Sequence, residues 1–265
     1  MPVAGSELHV ERRGDGAALL LIQGMGANST HWGDPFLREL ERDFDVIAYD
    51  HRGTGLSGPG EGDVTTAALA ADALALLDAL EVQRAHVLGF SMGGMVAQEL
   101  ALSAPQRVMS LVLAGTSPGG TQSKPTSDDI VRALTFAALS RDHERMLRTG
   151  FSFIVSEPYA AVAENYATFA AVARENPASI QILLEQQSAI VEHDAYGRLR
   201  SLEVPTLVIH GTEDQMLPAI NGDLIASMVP GARFEALDGV GHLIYWEQPE
   251  RTAQLVREHA AAHAA

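Results

Sequence analysis

The chain contains no cysteine. Disulfides, thiolate nucleophiles, iron–sulfur clusters and cysteine-ligated zinc are thereby excluded, and stability has to come from the core itself. Basic residues are scarce: Lys and Arg total 18 against 34 Asp and Glu, a formal net charge of −16. Such an acidic surface repels phosphate backbones and anionic lipid, so neither nucleic acid nor a membrane surface is an expected partner. Long apolar runs are missing too. Met1–Glu11 carries Glu7, His9 and Glu11 and no apolar stretch, so no secretory signal is read there. Thr65–Leu80, rich in Leu and Ala, is interrupted by Asp72 and Asp78. Its Leu69, Leu74, Leu76, Leu77 and Leu80 predict an amphipathic helix with both carboxylates on the polar face, not a membrane span. A soluble, cytoplasmic protein is expected. No pair among the 10 histidines has the spacing of a helical metal site such as H-E-x-x-H, and no metal or cofactor is expected.

What is present suits one large α/β domain: 265 residues, 46% of them hydrophobic and 24 of them glycine. Ala18–Ile22, Asp45–Tyr49, Ala85–Phe90, Val108–Ala114, Thr206–His210 and Arg233–Leu237 read as strands, with Leu8–Val10 as an alternating opening strand. Most are continuous apolar runs, as in a sheet covered on both faces. Helical patterns fall between them at Asp34–Arg42, Thr65–Leu80, Met92–Leu102, Asn221–Met228 and Pro249–Ala262. The alternation predicts a doubly wound, mostly parallel sheet. It breaks once. After Gly115–Ser127 come helical segments near Asp128–Arg148, Pro158–Arg174 and Pro177–Tyr196, with no convincing strand before Arg200. A crossover needs one helix, so residues 117–200 are read as a helical cap inserted into a core of residues 1–116 and 201–265. The Ala-rich tail Ala260–Ala265 is expected to fray.

The sharpest chemical signal is Gly89-Phe90-Ser91-Met92-Gly93-Gly94, between a buried strand and a helix-forming run. G-x-S-x-G in that setting is a nucleophile elbow. The turn forces the serine into a strained backbone with its hydroxyl exposed, and a Cβ at either flanking glycine would strike the neighbouring strand or helix. A plain glycine turn with a capping serine is the competing reading; the strand before, the helix after and Gly94 favour the elbow. The Met92 N–H, at the helix start, then faces whatever the serine attacks.

A serine hydroxyl needs a base. Elbow serines of this kind belong to triads running Ser…acid…His, which places the base after the last strand. His242, in Gly239-Val240-Gly241-His242-Leu243, stands there, whereas His210 ends a strand and reads as packed or locally hydrogen-bonded. The acid that orients the imidazole is sought in His210-Gly211-Thr212-Glu213-Asp214, where Asp214 and Glu213 compete. Gln23-Gly24-Met25-Gly26 follows a strand, and its Met25 N–H is the expected second oxyanion donor, a weak signal that draws its weight from Ser91. Two further matches are set aside. Gly53–Gly58 satisfies G-x-G-x-x-G but runs into Pro59-Gly60 instead of a helix, and Asn28-Ser29-Thr30 means little without a secretory signal.

Over nearly its whole length the chain resembles the α/β-hydrolase superfamily. Besides Gly89–Gly93, Tyr49–Ser57 resembles the D-x-R-G-x-G-x-S loop of those enzymes, Val204–Gly211 with Asp214 the strand and loop that deliver the acid, and Gly241-His242 with Glu247–Glu250 the histidine loop. The chain is similar to small bacterial esterases, 3-oxoadipate enol-lactonases and cofactor-free haloperoxidases. The resemblance favours Asp214 over Glu213, helped by Gly115-Thr116 at the position where some relatives place the acid. It departs at Gln23, where many relatives carry histidine: the backbone donor survives, and any role of that histidine does not transfer.

The implied chemistry is hydrolysis of a carboxylic ester or lactone through an acyl-enzyme on Ser91, with His242 as base and Asp214 orienting it. Perhydrolysis, carbon–carbon hydrolysis or ligand binding without turnover are alternatives on the same residues. Gly24, Trp32, Phe136, Phe153, Met216 and Leu243 are the expected lining of an apolar pocket for an acyl chain, aryl group or hydrophobic lactone. For the cap aromatics (Phe136, Phe151, Phe153, Tyr159, Tyr166 and Phe169) the competing reading is that they hold the cap helices together. The acidic surface disfavours polyanionic substrates such as acyl-CoA. The oligomeric state stays open.

Overall fold

The computed structural model of the chain describes residues 1–3 and 5–263. A small hairpin, β1 (Pro2–Val3) and β2 (Ser6–Glu7), precedes a seven-stranded sheet formed by β3 (Val10–Arg13), β4 (Ala17–Ile22), β5 (Phe44–Tyr49), β6 (Ala85–Phe90), β7 (Val108–Ala114), β8 (Thr206–Gly211) and β9 (Arg233–Leu237). The spatial order is β3-β5-β4-β6-β7-β8-β9, with β3 antiparallel to β5 and every other pairing parallel. The helices are α1 (Asp34–Leu40), α2 (Thr66–Ala79), α3 (Met92–Ser103), α4 (Asp128–Leu139), α5 (His143–Ile154), α6 (Glu157–Ala160), α7 (Ala163–Ala173), α8 (Ile180–Glu192), α9 (Ile220–Met228), α10 (Ile244–Glu247) and α11 (Pro249–Ala261).

Strand residues alternate between two apolar layers. Leu20, Ile22, Val87 and Leu111 pack with Leu69 and Leu76 of α2 and Val96 and Leu100 of α3. Leu19, Leu21, Leu88 and Val112 pack on the opposite face with Phe36 and Leu40 of α1 and Val256 of α11. Every residue of β5, β6 and β8 is buried, which explains their unbroken apolar runs. The sheet is laid down outward in both directions from β4. Its switch point therefore lies between β4 and β6, and α/β sheets open a crevice for ligands above the carboxyl ends of such strands.

Helices α4–α8 form the insertion between β7 and β8. An antiparallel bridge between Gly119 and Asp194, with Ala195 N–H donating to Pro118 O at 2.9 Å, closes its base. The segment expected as one helix over Asp128–Arg148 is two, broken where Arg141 takes φ 56° and Asp142 caps α5 by accepting from Arg145 N–H at 3.0 Å. Pro158–Arg174 likewise divides into α6 and α7, and Pro177–Tyr196 contracts to α8, capped by Ser179. The opening strand lies at Val10–Arg13, not Leu8–Val10: it is a polar edge whose Arg12 Nε donates to Asp45 at 2.7 Å. The amphipathic reading of α2 needs one correction. Asp78 is exposed, but Asp72 is buried, its Oδ2 accepting from Arg52 Nε at 2.6 Å, because a cation on a neighbouring loop offsets the cost of enclosing the carboxylate. Of the Ala-rich tail, Ala260 and Ala261 end α11, and the last two alanines lie outside the described residues.

Candidate active site

Ser91 is the one residue between β6 and α3. It takes φ 54° and ψ −121°, a conformation that costs an L residue on the order of 1–3 kcal/mol. Close packing imposes it. A Cβ on Gly93 would overlap the Ile22 carbonyl oxygen, and one on Gly89 would stand 2.6 Å from the Ala97 methyl, so α3 approaches β4 and β6 this closely only with glycine at both places. Ser91 N–H donates to Ala114 O at 3.0 Å, and its carbonyl accepts from Thr116 Oγ1 at 2.7 Å. The hydroxyl is partly exposed and makes no hydrogen bond among the described residues. Met92, directly after it, is enclosed, and its N–H is one of the unpaired donors at the start of α3.

Across the switch point, β4 leads into Gln23-Gly24-Met25-Gly26. Gly24 lies against Ser91: a Cβ there would be 3.1 Å from Ser91 Cβ. Gln23 Oε1 accepts the Gly24 N–H at 2.8 Å, while Gln186 of α8 accepts the Gly26 N–H, also at 2.8 Å. The Met25 N–H between them has no partner among the described residues. The loop after β5 supports this segment from below. His51 Nε2 donates to Gln23 O at 3.0 Å, and Asp50 joins Ser29 N–H at 2.6 Å to Leu56 N–H at 2.9 Å.

Asp214 and His242 come from loops after β8 and β9. Asp214 is buried, its Oδ1 accepting from the Met216 and Leu217 amides at 2.9 and 2.8 Å. Its Oδ2 accepts from His242 Nδ1 at 2.6 Å and from His210 Nε2 at 3.1 Å. Burial opposes the Asp214 charge, but the two imidazoles outweigh it and hold the carboxyl well below the usual carboxylate range. Glu213, the rival acid, is exposed. The His242 ring packs on Phe90 at 4.7 Å between centroids, and its Nδ1 is 3.3 Å from where a Gly115 Cβ would stand. With Nδ1 committed to Asp214, the Nε2 edge is left for a substrate or for Ser91; no hydrogen bond joins Ser91 and His242 in this structure.

The expected pocket residues differ in exposure. Leu243 is buried beside His242, and Met216 is partly exposed beside Asp214. Phe153 is partly exposed on α5, and Phe136 is 67% exposed on α4. Trp32 is fully enclosed behind Phe90, 6.5 Å away and edge-on, where it also stacks with Phe36 and Tyr245, so its ring is a wall of the core. Among the cap aromatics, Phe151 packs on Tyr159, Tyr166 and Phe169 with centroids 6.4, 5.5 and 5.0 Å apart, as in the gluing role.

Three further residues around the site were given no site role by the sequence, where His210 reads as packed or locally hydrogen-bonded. His210 shares Asp214, and also reaches Leu217 O at 2.6 Å; its position four residues before the acid was the available hint. Glu247 receives the N–H of Gly241 at 2.9 Å and of Ser156 at 3.0 Å as well as the Ser156 hydroxyl, and Leu243 N–H donates to Ile154 O at 2.8 Å, which fastens the histidine loop to the cap. Burial pushes the Glu247 carboxyl up, against those three donors. Gln186 has only its place on a capped helix to mark it.

A strained serine at a strand-to-helix turn, next to a paired imidazole and carboxylate on the rim of a parallel sheet, defines an α/β-hydrolase site. Residues 17–249 match the family model described as alpha/beta hydrolase fold, and the chain belongs to that family. It is 31% identical, over 89% of its length and 88% of the relative's, to "Putative carbamate hydrolase RutD" of Azorhizobium caulinodans. Among solved structures it is similar to a hydrolase from Pseudomonas aeruginosa PA01, at 33% identity and TM-score 0.80, covering 95% of this chain and 93% of that one. An esterase from Rhodococcus sp. ECU1013 matches at 26% identity and TM-score 0.83, covering 98% and 97% of the two chains. No helix among the described residues is long and apolar enough to cross a membrane.

Proposed function

We propose that this hydrolase cleaves carboxylic esters or lactones through an acyl-enzyme on Ser91. The observation that carries the reading is the 2.6 Å His242–Asp214 hydrogen bond placed beside a serine held at φ 54°. In the reacting complex the Ser91 hydroxyl donates to His242 Nε2, a contact that resting sites commonly complete only with substrate bound. His242 then takes the hydroxyl proton while Oγ attacks the carbonyl carbon. The Met25 and Met92 amides donate to the oxyanion, and Asp214 stabilises the imidazolium. Collapse expels the alkoxide, which takes the proton from His242. Water, deprotonated by His242, attacks the acyl-enzyme, and its collapse releases the acid and restores the serine.

Carbamates form a second substrate class for the same cycle, supported by the 31% identity to the relative named "Putative carbamate hydrolase RutD". Both classes present an acyl carbonyl, so the test must separate them. Purified chain is assayed on p-nitrophenyl esters of graded chain length, simple lactones and an aryl carbamate, alongside Ser91→Ala. Turnover that falls by on the order of 10⁴ or more in the variant is expected, together with fluorophosphonate labelling confined to Ser91. Equal ester hydrolysis by both proteins overturns the reading. Absence of both labelling and turnover favours a ligand-binding protein instead.

A further inference from the structure

The reaction just described needs a Met25 amide that faces the oxyanion before substrate arrives, and the core contacts described above reach only the Gln23 and Gly24 side of it. We propose that Gln186, a side chain of the cap, is the positioning residue that sets this donor. The inference rests on the ester-hydrolase reading and deepens it.

Gln186 is fully buried on α8, although glutamine is rarely enclosed without compensation. Its Oε1 accepts the Gly26 N–H at 2.8 Å. Because a peptide N–H needs an acceptor, this contact also fixes which end of the side-chain amide faces the loop. The other end, Nε2, has no partner among the described residues, so the amide is kept buried here at a cost. On the other side of Met25, Gln23 Oε1 takes the Gly24 N–H and its side chain is tied to the Tyr245 hydroxyl at 3.2 Å. Two glutamines, one from the end of β4 and one from the cap, thus occupy the amides on either side, leaving the Met25 N–H as the unsatisfied donor of the three.

The contact is backed by packing. Gly26 sits at φ 70°, and a Cβ on it would be 2.6 Å from Leu183 Cδ2, one turn before Gln186 on the same helix. Asn28 Nδ2 donates to Glu175 O at 3.2 Å, adding a further cap contact just beyond the turn. A fixed donor in a site that excludes water stabilises developing charge without reorganisation, and loss of one such donor costs ~10²–10³ in kcat. Loosening it should cost a fraction of that.

The test compares Gln186→Met, which keeps length and removes the acceptor, with Gln186→Glu, which restores an oxygen acceptor, on an ester that the parent hydrolyses. Gln186→Met is expected to lower kcat by roughly 10-fold or more. KM and the pH profile should stay near the parent's, an arylboronic acid should bind more weakly by a similar factor, and Gln186→Glu should recover most of the loss. A merely structural role would lower the melting temperature and leave kcat of the folded fraction unchanged, which overturns the proposal. Amide hydrogen exchange at Gly26 in the parent gives a readout that needs no variant: protection is expected, and exchange at the rate of an open loop overturns the clamp even if both variants fail to fold. If the parent turns over no ester and Ser91→Ala behaves identically, the hydrolase reading falls and this inference with it. If the parent is active and Gln186→Met retains full kcat, the clamp alone falls.

Discussion

The nucleophile elbow and the loops that face it are held by different means. At the elbow, restraint is backbone sterics: Gly89 and Gly93 let α3 approach the strands, and the Ser91 N–H extends the ladder to Ala114. Every contact comes from the sheet core. The Gln23–Gly26 and histidine loops, in contrast, add ties to the insertion to those they make within the core, where Gln23, His51 and Asp50 supply the contacts. Gln186 accepts from Gly26, Ser156 donates to Glu247, which also holds Gly241, and Ile154 accepts from Leu243. On the proposed reading the core supplies the nucleophile, while the loops that would activate it and stabilise the oxyanion are tied to both core and insertion. On that reading the insertion is a structural part of the proposed site.

The largest effect should come from disturbing the elbow. In Gly93→Ala the new methyl overlaps the Ile22 carbonyl and stands 2.5 Å from that of Gln23, neither of which can yield without moving β4. A stability loss of about 3 kcal/mol or more is expected, with folding and activity failing together in denaturant titration and ester assay. A stable, active Gly93→Ala protein would show that α3 has slack, and the contrast between a sterically fixed elbow and fastened loops would disappear.

The same difference governs what the sequence discloses. Gly89, Ser91 and Gly93 act within five residues, and their spacing, with an apolar run before and a helical pattern and Gly94 after, announces the elbow. The boundaries of β6, β7 and β9 were also legible, because complete burial or a clean turn bounds each run. Asp214 and His242 were reachable through chain order and resemblance, 28 residues apart and joined only after two strands have paired. Gln186 lies 160 residues from Gly26, and Glu247 lies 91 from Ser156; such partners leave no local pattern, since any exposed helix carries glutamines and glutamates. Asp72 illustrates the same limit from the other side. Its place on α2 looks solvent-facing by periodicity, and only Arg52, contributed by a loop, draws it inward. The break at Arg141 was hidden because the helical pattern continues through it, whereas the Asp142 cap decides the geometry.

A smaller, selective effect is expected where Glu247 joins the histidine loop to the cap. Glu247→Met leaves the Gly241 and Ser156 amides without their acceptor, at a cost of roughly 1–3 kcal/mol. Because Gly241 adjoins His242, kcat should fall about 10-fold if loop placement governs the base, with KM little altered. Ser156→Ala removes only the hydroxyl donor and should cost about 1 kcal/mol with a milder kinetic change. Steady-state kinetics with thermal melting separates the two readouts. If Glu247→Met loses stability and keeps kcat, placement of the histidine loop does not depend on Glu247 or on its tie to Ser156, and the two regions differ less than their contacts suggest.

Acid should act on the cap side by the least of these margins. Burial is the main reason that His193 is pushed down to about 4, opposed by neighbouring Glu99. It lies at the joint where α8 returns to the core, with Nδ1 3.1 Å from Thr66 Oγ1. Its folded pKa is lowered, so between the ordinary value of 6.5 and about 4 the unfolded chain binds a proton there that the folded chain refuses. The stability associated with a neutral His193 is thus complete above pH 6.5 and is withdrawn as pH falls towards 4. His31, beside the oxyanion loop and also pushed down to about 4 by burial, acts with the same sign over the same range. Asp214, lowered as a carboxylate, adds its loss only below about pH 4. Each histidine should contribute on the order of 1–2 kcal/mol by pH 5, a few degrees of melting temperature. In His193→Gln the melting temperature should therefore fall less steeply between pH 6.5 and 5 than in the parent. An unchanged slope would mean that His193 is protonated as readily in the folded chain as in the unfolded one, and that acid does not reach the cap through its closing joint.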